Sequence, residues 1–503
     1  MSGACPTSRA QPRRRRRLRP HRGPEPVPDV LSPPRKVIPI APAPSDGDGS
    51  LYEAQKKIYP RSVSGLFSRW RWAFVALTQL VFYGLPWLEW GQRQAVLFDL
   101  GARRFYIFGW VLYPQDFIYL TGLLVISALS LFLFTAVAGR LWCGFTCPQT
   151  VYTEIFLWIE RKVEGDRTAR MRLDGAGMSM EKLVKKWFKH LLWITLAMWT
   201  GFTFVGYFTP IQELGMEFLQ TRMSSWEVFW VFFYGAATYG NAGFLREQVC
   251  KYMCPYARFQ SAMFDRDTLI VSYDTRRGEP RGARSRKADI STLSLGACVD
   301  CTLCVQVCPT GIDIREGLQY ECIGCAACVD VCDTVMDKMN YPRGLVRFTT
   351  QNALTGGWDS ARMWRRVLRP RILVYAAILA ALCIGLAASL VARTPLKVDV
   401  VRDRASLSRI AAGGKLENVY RLQVMNATEQ PQRYRISVTG LDGLALASEP
   451  QLEVGPAESR WVAVRLQIPY GSASPGSHPI HFSVEDAAGQ SHVSEKSVFI
   501  VPR

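Results

Sequence analysis

The chain has 503 residues, a formal charge of +19 and just under half of its residues apolar. That length holds several folding units. Fourteen cysteines, with none after Cys383, exclude a disulfide-stapled secreted scaffold and place the Cys-rich part in a reducing compartment. A basic excess suits nucleic acid, anionic lipid or the cytoplasmic loops of a membrane protein, and its placement along the chain decides between them.

Residues 1–50 are rich in Pro and Arg, with the run Arg13 to Arg17. They offer few apolar side chains to bury and read as a disordered, basic cytoplasmic tail. No apolar run follows the arginines, which argues against a signal peptide. Residues 51–260 read as a four-helix membrane domain, because a bilayer crossing needs about 20 mostly apolar residues. The expected crossings are about Trp72–Trp90, Phe117–Ala138, Leu191–Phe208 and Trp226–Phe244, with a fifth in residues 371–392 from about Ile372. Trp and Tyr gather at their ends as interfacial belts do. Arg140, Arg161, Lys162, Arg167, Arg170, Lys185, Lys186 and Lys189 fall between the second and third crossings. The loop at 211–225 carries two Glu and one Arg. Lys and Arg stay on the cytoplasmic side, so the N-terminus is expected inside, the C-terminus outside, and no nucleic acid is called for. Arg93, Arg103 and Arg104 weaken that pattern. Glu89, Asp116, Glu154 and Glu160, carboxylates near helix ends where acids are more often solvated, are given no role, and Val151–Ile159 reads as an amphipathic segment on the inner surface.

Residues 261–370 carry the strongest signal. Cys298-x2-Cys301-x2-Cys304-x3-Cys308-Pro309 is followed by Cys322-x2-Cys325-x2-Cys328-x3-Cys332. This is the two-cluster bacterial ferredoxin spacing, in which the fourth cysteine of each run serves the other cluster. One [4Fe-4S] cluster is therefore expected on Cys298, Cys301, Cys304 and Cys332, and a second on Cys322, Cys325, Cys328 and Cys308. The second run ends in Asp333 where the first has Pro309.

Two further pairs, Cys143-Gly-Phe-Thr-Cys147-Pro148 and Cys250-Lys-Tyr-Met-Cys254-Pro255, follow the second and fourth apolar runs. Both emerge on the inner face, so the four thiols are expected to meet and form the candidate catalytic site. Thiolates select Cu(I), zinc or iron–sulfur, and dithiols also cycle with disulfides. The five histidines offer no buried pair to hold a membrane haem. Residues 393–503 show short alternating runs at Val419–Val424, Tyr434–Val438, Trp461–Ile468, Ile480–Val484 and Ser497–Val501, the pattern of an outer, all-β immunoglobulin-like sandwich. The expected architecture is thus a membrane α-helical bundle with an inserted ferredoxin-like α+β domain and a C-terminal sandwich.

CGFTCPQT, CKYMCPYARFQ and CIGCAACVDVCD, with the tail, the fifth helix and the cysteine-free β-domain, make the chain resemble the CcoG/FixG/RdxA family over residues 50–503. The resemblance implies an inner-membrane accessory protein of cbb(3)-type cytochrome oxidase that reduces Cu(II) to Cu(I). It implies two [4Fe-4S] clusters and copper at Cys143, Cys147, Cys250 and Cys254. Oxidase subunits or copper-delivery proteins are the implied partners, with an unnamed electron donor and a homodimer as an open state. A NapH-type quinol dehydrogenase subunit and a non-enzymatic assembly factor are the competing readings.

Overall fold

The computed structural model describes residues 57–286, 294–403, 408–411, 413–489 and 491–502. The tail expected over residues 1–50 lies outside them.

Apolar helices form where the apolar runs lie: Leu66–Gly84, Phe117–Ala138, Met180–Val205, Ser225–Thr238 and Pro370–Val391. Two stretches, Pro114–Ala138 and Pro370–Val391, are long and apolar enough to cross a membrane by length and composition. The other three fall short for local reasons. Leu66–Gly84 carries Arg69 and Arg71 in its first turns. Met180–Val205 opens on Glu181, Lys182, Lys185, Lys186 and Lys189. Ser225–Thr238 has only 14 residues before the chain widens into a π-helix at Tyr239–Leu245. The helices still pack closely: a Cβ on Gly201 would lie 2.2 Å from the Val231 carbonyl oxygen.

Phe117–Ala138 and Pro370–Val391 run antiparallel against each other. Tyr119 donates to the Ser389 carbonyl at 3.2 Å, and Leu386 packs on Gly122. Each has 22 residues, about 33 Å at 1.5 Å per residue. At one end Arg369 donates to the Ala136 carbonyl at 2.7 Å and the Leu269 amide to Val137 at 2.9 Å. At the other, Asp116 pairs with Arg393 at 2.7 Å and with Lys397. The Cys-rich module and the β-domain therefore sit at opposite ends of this helix pair.

The β-domain is a sandwich of antiparallel sheets. One has the order Ala445–Leu446, Ser459–Pro469, Lys415–Asn426, Leu396–Arg402, with Arg409–Ala411 also on Lys415–Asn426. The other runs Gln451–Val454, Gln432–Thr439, Gly476–Asp486, His492–Val501. Period-two alternation sends Tyr420, Leu422, Val424, Ile436, Val464, Phe482 and Phe499 into the core. All five expected runs are strands.

Three features escaped the sequence reading. Residues 96–112 form a three-stranded sheet, and its Leu97, Tyr106 and Val111 pack with Met425 and Ala457 of the β-domain. Arg93, which disturbed the charge pattern, stacks on Tyr106 and pairs with Glu429 at 2.6 Å there. Glu160, given no role from the sequence, is 0% exposed. Arg170 and Arg246 lie 3.2 and 3.0 Å from it, as a buried carboxylate requires.

Candidate functional site

The Cys-rich module repeats one local design. In the first run Asp300 and Thr302 take positive φ, and in the second Gly324 and Ala326 do. Each pair lies two and four residues after its first cysteine. Left-handed residues between right-handed ones turn successive amides to one side, forming an anion-binding hollow. The amides of Gly324 and Ala327 accordingly point at the sulfurs of Cys322 and Cys325. Short helix Leu303–Gln306 ends before Cys308 and Pro309, whereas Ala327–Met339 runs through Cys332. The missing proline explains the difference: Asp333 permits helix and binds the Gly344 amide at 2.9 Å.

The fold folds these runs across each other. Cys298, Cys301, Cys304 and Cys332 line one cavity with Tyr273, Leu345 and Met336. Cys308, Cys322, Cys325 and Cys328 line a second with Val271 and Ile314; Cys304 borders both. Burial pushes Cys322 and Cys332 up to about 12, so at neutral pH they become thiolates only when a metal takes the proton's place. Apolar walls, inward amides and four sulfurs per cavity fit iron–sulfur cubanes. Cys301 is exposed, while Cys325 is 7% exposed. The first cavity thus faces solvent and the second is sealed.

What seals the second is the CxxxCP region. A Cβ on Gly144 would lie 2.8 Å from the backbone of Cys325. Cys143 and Cys250 pack against the cluster of Val307, Ile323, Cys325 and Ala327. Both motifs share one geometry. The Cys147 amide donates five residues back to Trp142 at 3.0 Å, and the Cys254 amide five back to Val249 at 2.8 Å. These wide turns unwind the chain so that each second cysteine is extended, with its proline opening the next helix, Pro148–Glu164 or Pro255–Met263. The four thiols lie within Coulomb reach of one another, and burial pushes Cys143 up to about 11 and Cys250 up to about 12. Gln260 reaches the Cys143 sulfur at 3.4 Å. Among the described residues, no three Cys, His, Asp or Glu side chains converge tightly enough to hold a single metal ion.

Arg140 was read only as a topology charge. It joins the three segments, donating to Cys322 at 3.3 Å, to Tyr320, and to Ala257 at 2.6 Å. Its position three residues before Cys143 was the one available signal.

Residues 245–351 match a family model described as a 4Fe-4S dicluster domain, and 120–164 one described as a 4Fe-4S binding domain. Residues 386–502 match the IG-like fold at the C-terminal of FixG, putative oxidoreductase. The chain is 39% identical to the nitrogen fixation protein FixG of Rhizobium meliloti over 83% of this chain and 85% of that one. It is 37% identical to proteins RdxB and RdxA of Cereibacter sphaeroides, over 91% and 87% of this chain and 98% and 95% of theirs. A crystal structure of a FixG-related protein from Vibrio parahaemolyticus is 28% identical over 22% of this chain and 97% of that one, with a TM-score of 0.20. The two long apolar helices together with these relatives mark a membrane-associated protein, and the matched domains an iron–sulfur one. The chain belongs to the FixG/RdxA family.

Proposed function

We propose that this chain carries electrons one at a time across its two clusters to the CxxxCP thiols, and there reduces Cu(II) to Cu(I) for the maturation of a cbb(3)-type oxidase. The observation that carries it is the contact of Gly144 with the Cys325 backbone. It sets the motif directly against the sealed cavity, while exposed Cys301 leaves the other cavity open to a donor. In this reading Cys298, Cys301, Cys304 and Cys332 hold the outer cluster, and Cys308, Cys322, Cys325 and Cys328 the inner. Each cluster releases one electron, and each Cu(II) takes up one. Copper is the substrate: it meets the thiols in passing, and the softer Cu(I) is the form thiolates prefer.

Five crossings with the N-terminus and Cys-rich module in the cytoplasm fit the basic inner loops. The β-domain is then periplasmic, where oxidase subunits or a copper-delivery protein would meet it. Replacing Cys143 and Cys254 together by Ser should abolish copper reduction and leave cluster absorbance intact. Reduction that survives in the double variant removes the thiols from the reading.

One observation favours quinol oxidation as a second reading. An apolar groove of about 860 Å³, lined by Ile155, Trp158, Phe188 and Trp199 among others, runs between Pro148–Glu164 and Met180–Val205. Its near end is about 12 Å of helix from Cys147. Oxidation of the clusters by a quinone and not by copper would select it.

A further inference from the structure

Arg140 is 6% exposed. Its guanidinium ends on three backbone carbonyls, those of Tyr320, Cys322 and Ala257. Carbonyls orient a cation but carry no countercharge. Among the described residues no carboxylate lies within 4.0 Å of it. Arg71, the other buried arginine beside this cavity, differs: it donates to the Cys325 sulfur, but its charge is also paired with Glu154 at 3.8 Å. A buried charge without a counter-ion is strongly disfavoured. A protein that keeps one there requires an anion nearby, and the sequence holds eight thiols around this point.

The surroundings agree. The backbone of Arg140 lies against Gly324, where a Cβ would approach its carbonyl to 3.2 Å, and Gly324 holds the left-handed turn between Cys322 and Cys325. The guanidinium ends on the backbone of Cys322, a ligand of the inner cavity, and on that of Ala257 in the helix opened by Pro255, and Arg140 stands three residues before Cys143. One cation therefore bridges the inner cavity and both CxxxCP motifs.

We propose that Arg140 is the counter-ion of the inner cluster and sets the direction of electron flow, holding that cluster at a more positive potential than the outer one. The reason is Coulombic: reduction adds a negative charge, and a desolvated cation beside it stabilises the reduced form. Electrons entering at Cys301 then run downhill toward the CxxxCP thiols. Arg140 touches no substrate, so it is a positioning residue. The proposal rests on the two-cluster reading above and is independent of copper.

The test is a redox titration of both clusters by EPR in full-length wild type, Arg140→Gln and Arg140→Lys, prepared anaerobically in detergent. In Arg140→Gln one midpoint should fall by at least 59 mV, a tenfold change in the one-electron ratio, while the other stays put. Arg140→Lys should restore most of the shift, because it keeps the charge and loses only the fork of hydrogen bonds. Two clusters with unchanged midpoints in Arg140→Gln overturn the proposal. If Arg140→Gln loses its inner cluster, Arg140→Lys decides: a retained cluster at the wild-type midpoint supports the counter-ion, and loss there too makes Arg140 a structural bolt and overturns it. Absence of two clusters in wild type would instead sink the two-cluster reading itself.

Discussion

Asp330 of the Cys-rich module caps the helix Leu66–Gly84: its carboxylate accepts the Ser68 amide at 2.7 Å and the Phe67 amide at 3.1 Å. The helix Leu66–Gly84 has no cap of its own, since Gly65 stands at that position. Asp330 lies between Cys328 and Cys332, which border different cavities. The same carboxylate therefore docks the helix and fixes the segment joining the two sites.

Removing that cap has a definite cost. Asp330→Ala leaves one buried and one half-buried amide unpaired, and loss of an N-cap typically costs about 0.5–2 kcal/mol. Asp330→Asn, which still accepts, should cost less. Denaturant melts of the purified protein read both. Equal stability of Asp330→Ala and wild type would mean the cap is not formed.

Gly144 leaves no room for a side chain beside Cys325. Gly144→Val must push the first CxxxCP motif away from the inner cavity, a form of overpacking that costs about 1–3 kcal/mol. We expect both clusters to assemble, with electron transfer to the acceptor slowed relative to wild type in stopped-flow reoxidation. An unchanged rate would show that this contact does not lie on the electron path.

At the other end, Asp116 is 3% exposed and is held by Arg393 at 2.7 Å and by Lys397. Asp116→Ala leaves two half-buried cations without their buried partner, a loss below the roughly 3–5 kcal/mol of a fully buried pair. The β-domain should loosen from the helix pair, and limited proteolysis near Arg393 should accelerate. The cluster spectra, read in the same sample, should not change.

Glu417 gives a pH dependence. Burial works to raise its carboxyl, but hydrogen bonds from Gln467 at 2.6 Å and Arg409 at 2.7 Å, with the Arg409 charge, outweigh it and hold it below the ordinary 4.5. A carboxyl depressed on folding adds stability that is complete above its unfolded value and is lost as pH falls through the folded one. The β-domain should melt at lower temperature as pH drops below about 4.5, by calorimetry, and Glu417→Gln should flatten that slope.

Much of this was legible along the chain because local chemistry encodes it. The cysteine spacing tells which sulfurs can share a corner, and the structure lines two cavities with those sets. Strict alternation announces the strands from Val419 to Val501, whereas the helices that Pro148 and Pro255 open were not read from the sequence. The relation of Asp330 to Ser68 was not legible, since it joins residues 262 positions apart and leaves no periodic trace. Arg140 and Glu160 were hidden for another reason. Each sits in a charged segment where solvation is the ordinary fate, and only packing shows that they are buried. The sheet at 96–112 was missed because its strands are three or four residues long and gain their core from the distant β-domain.

The central claim is that electrons leave the clusters for copper. We would reduce the anaerobic wild-type protein, add Cu(II) with a Cu(I)-specific chelator, and count the electrons lost by EPR against the Cu(I) formed. The account predicts one Cu(I) for each electron that leaves a cluster. Clusters that remain reduced in excess Cu(II) would contradict it.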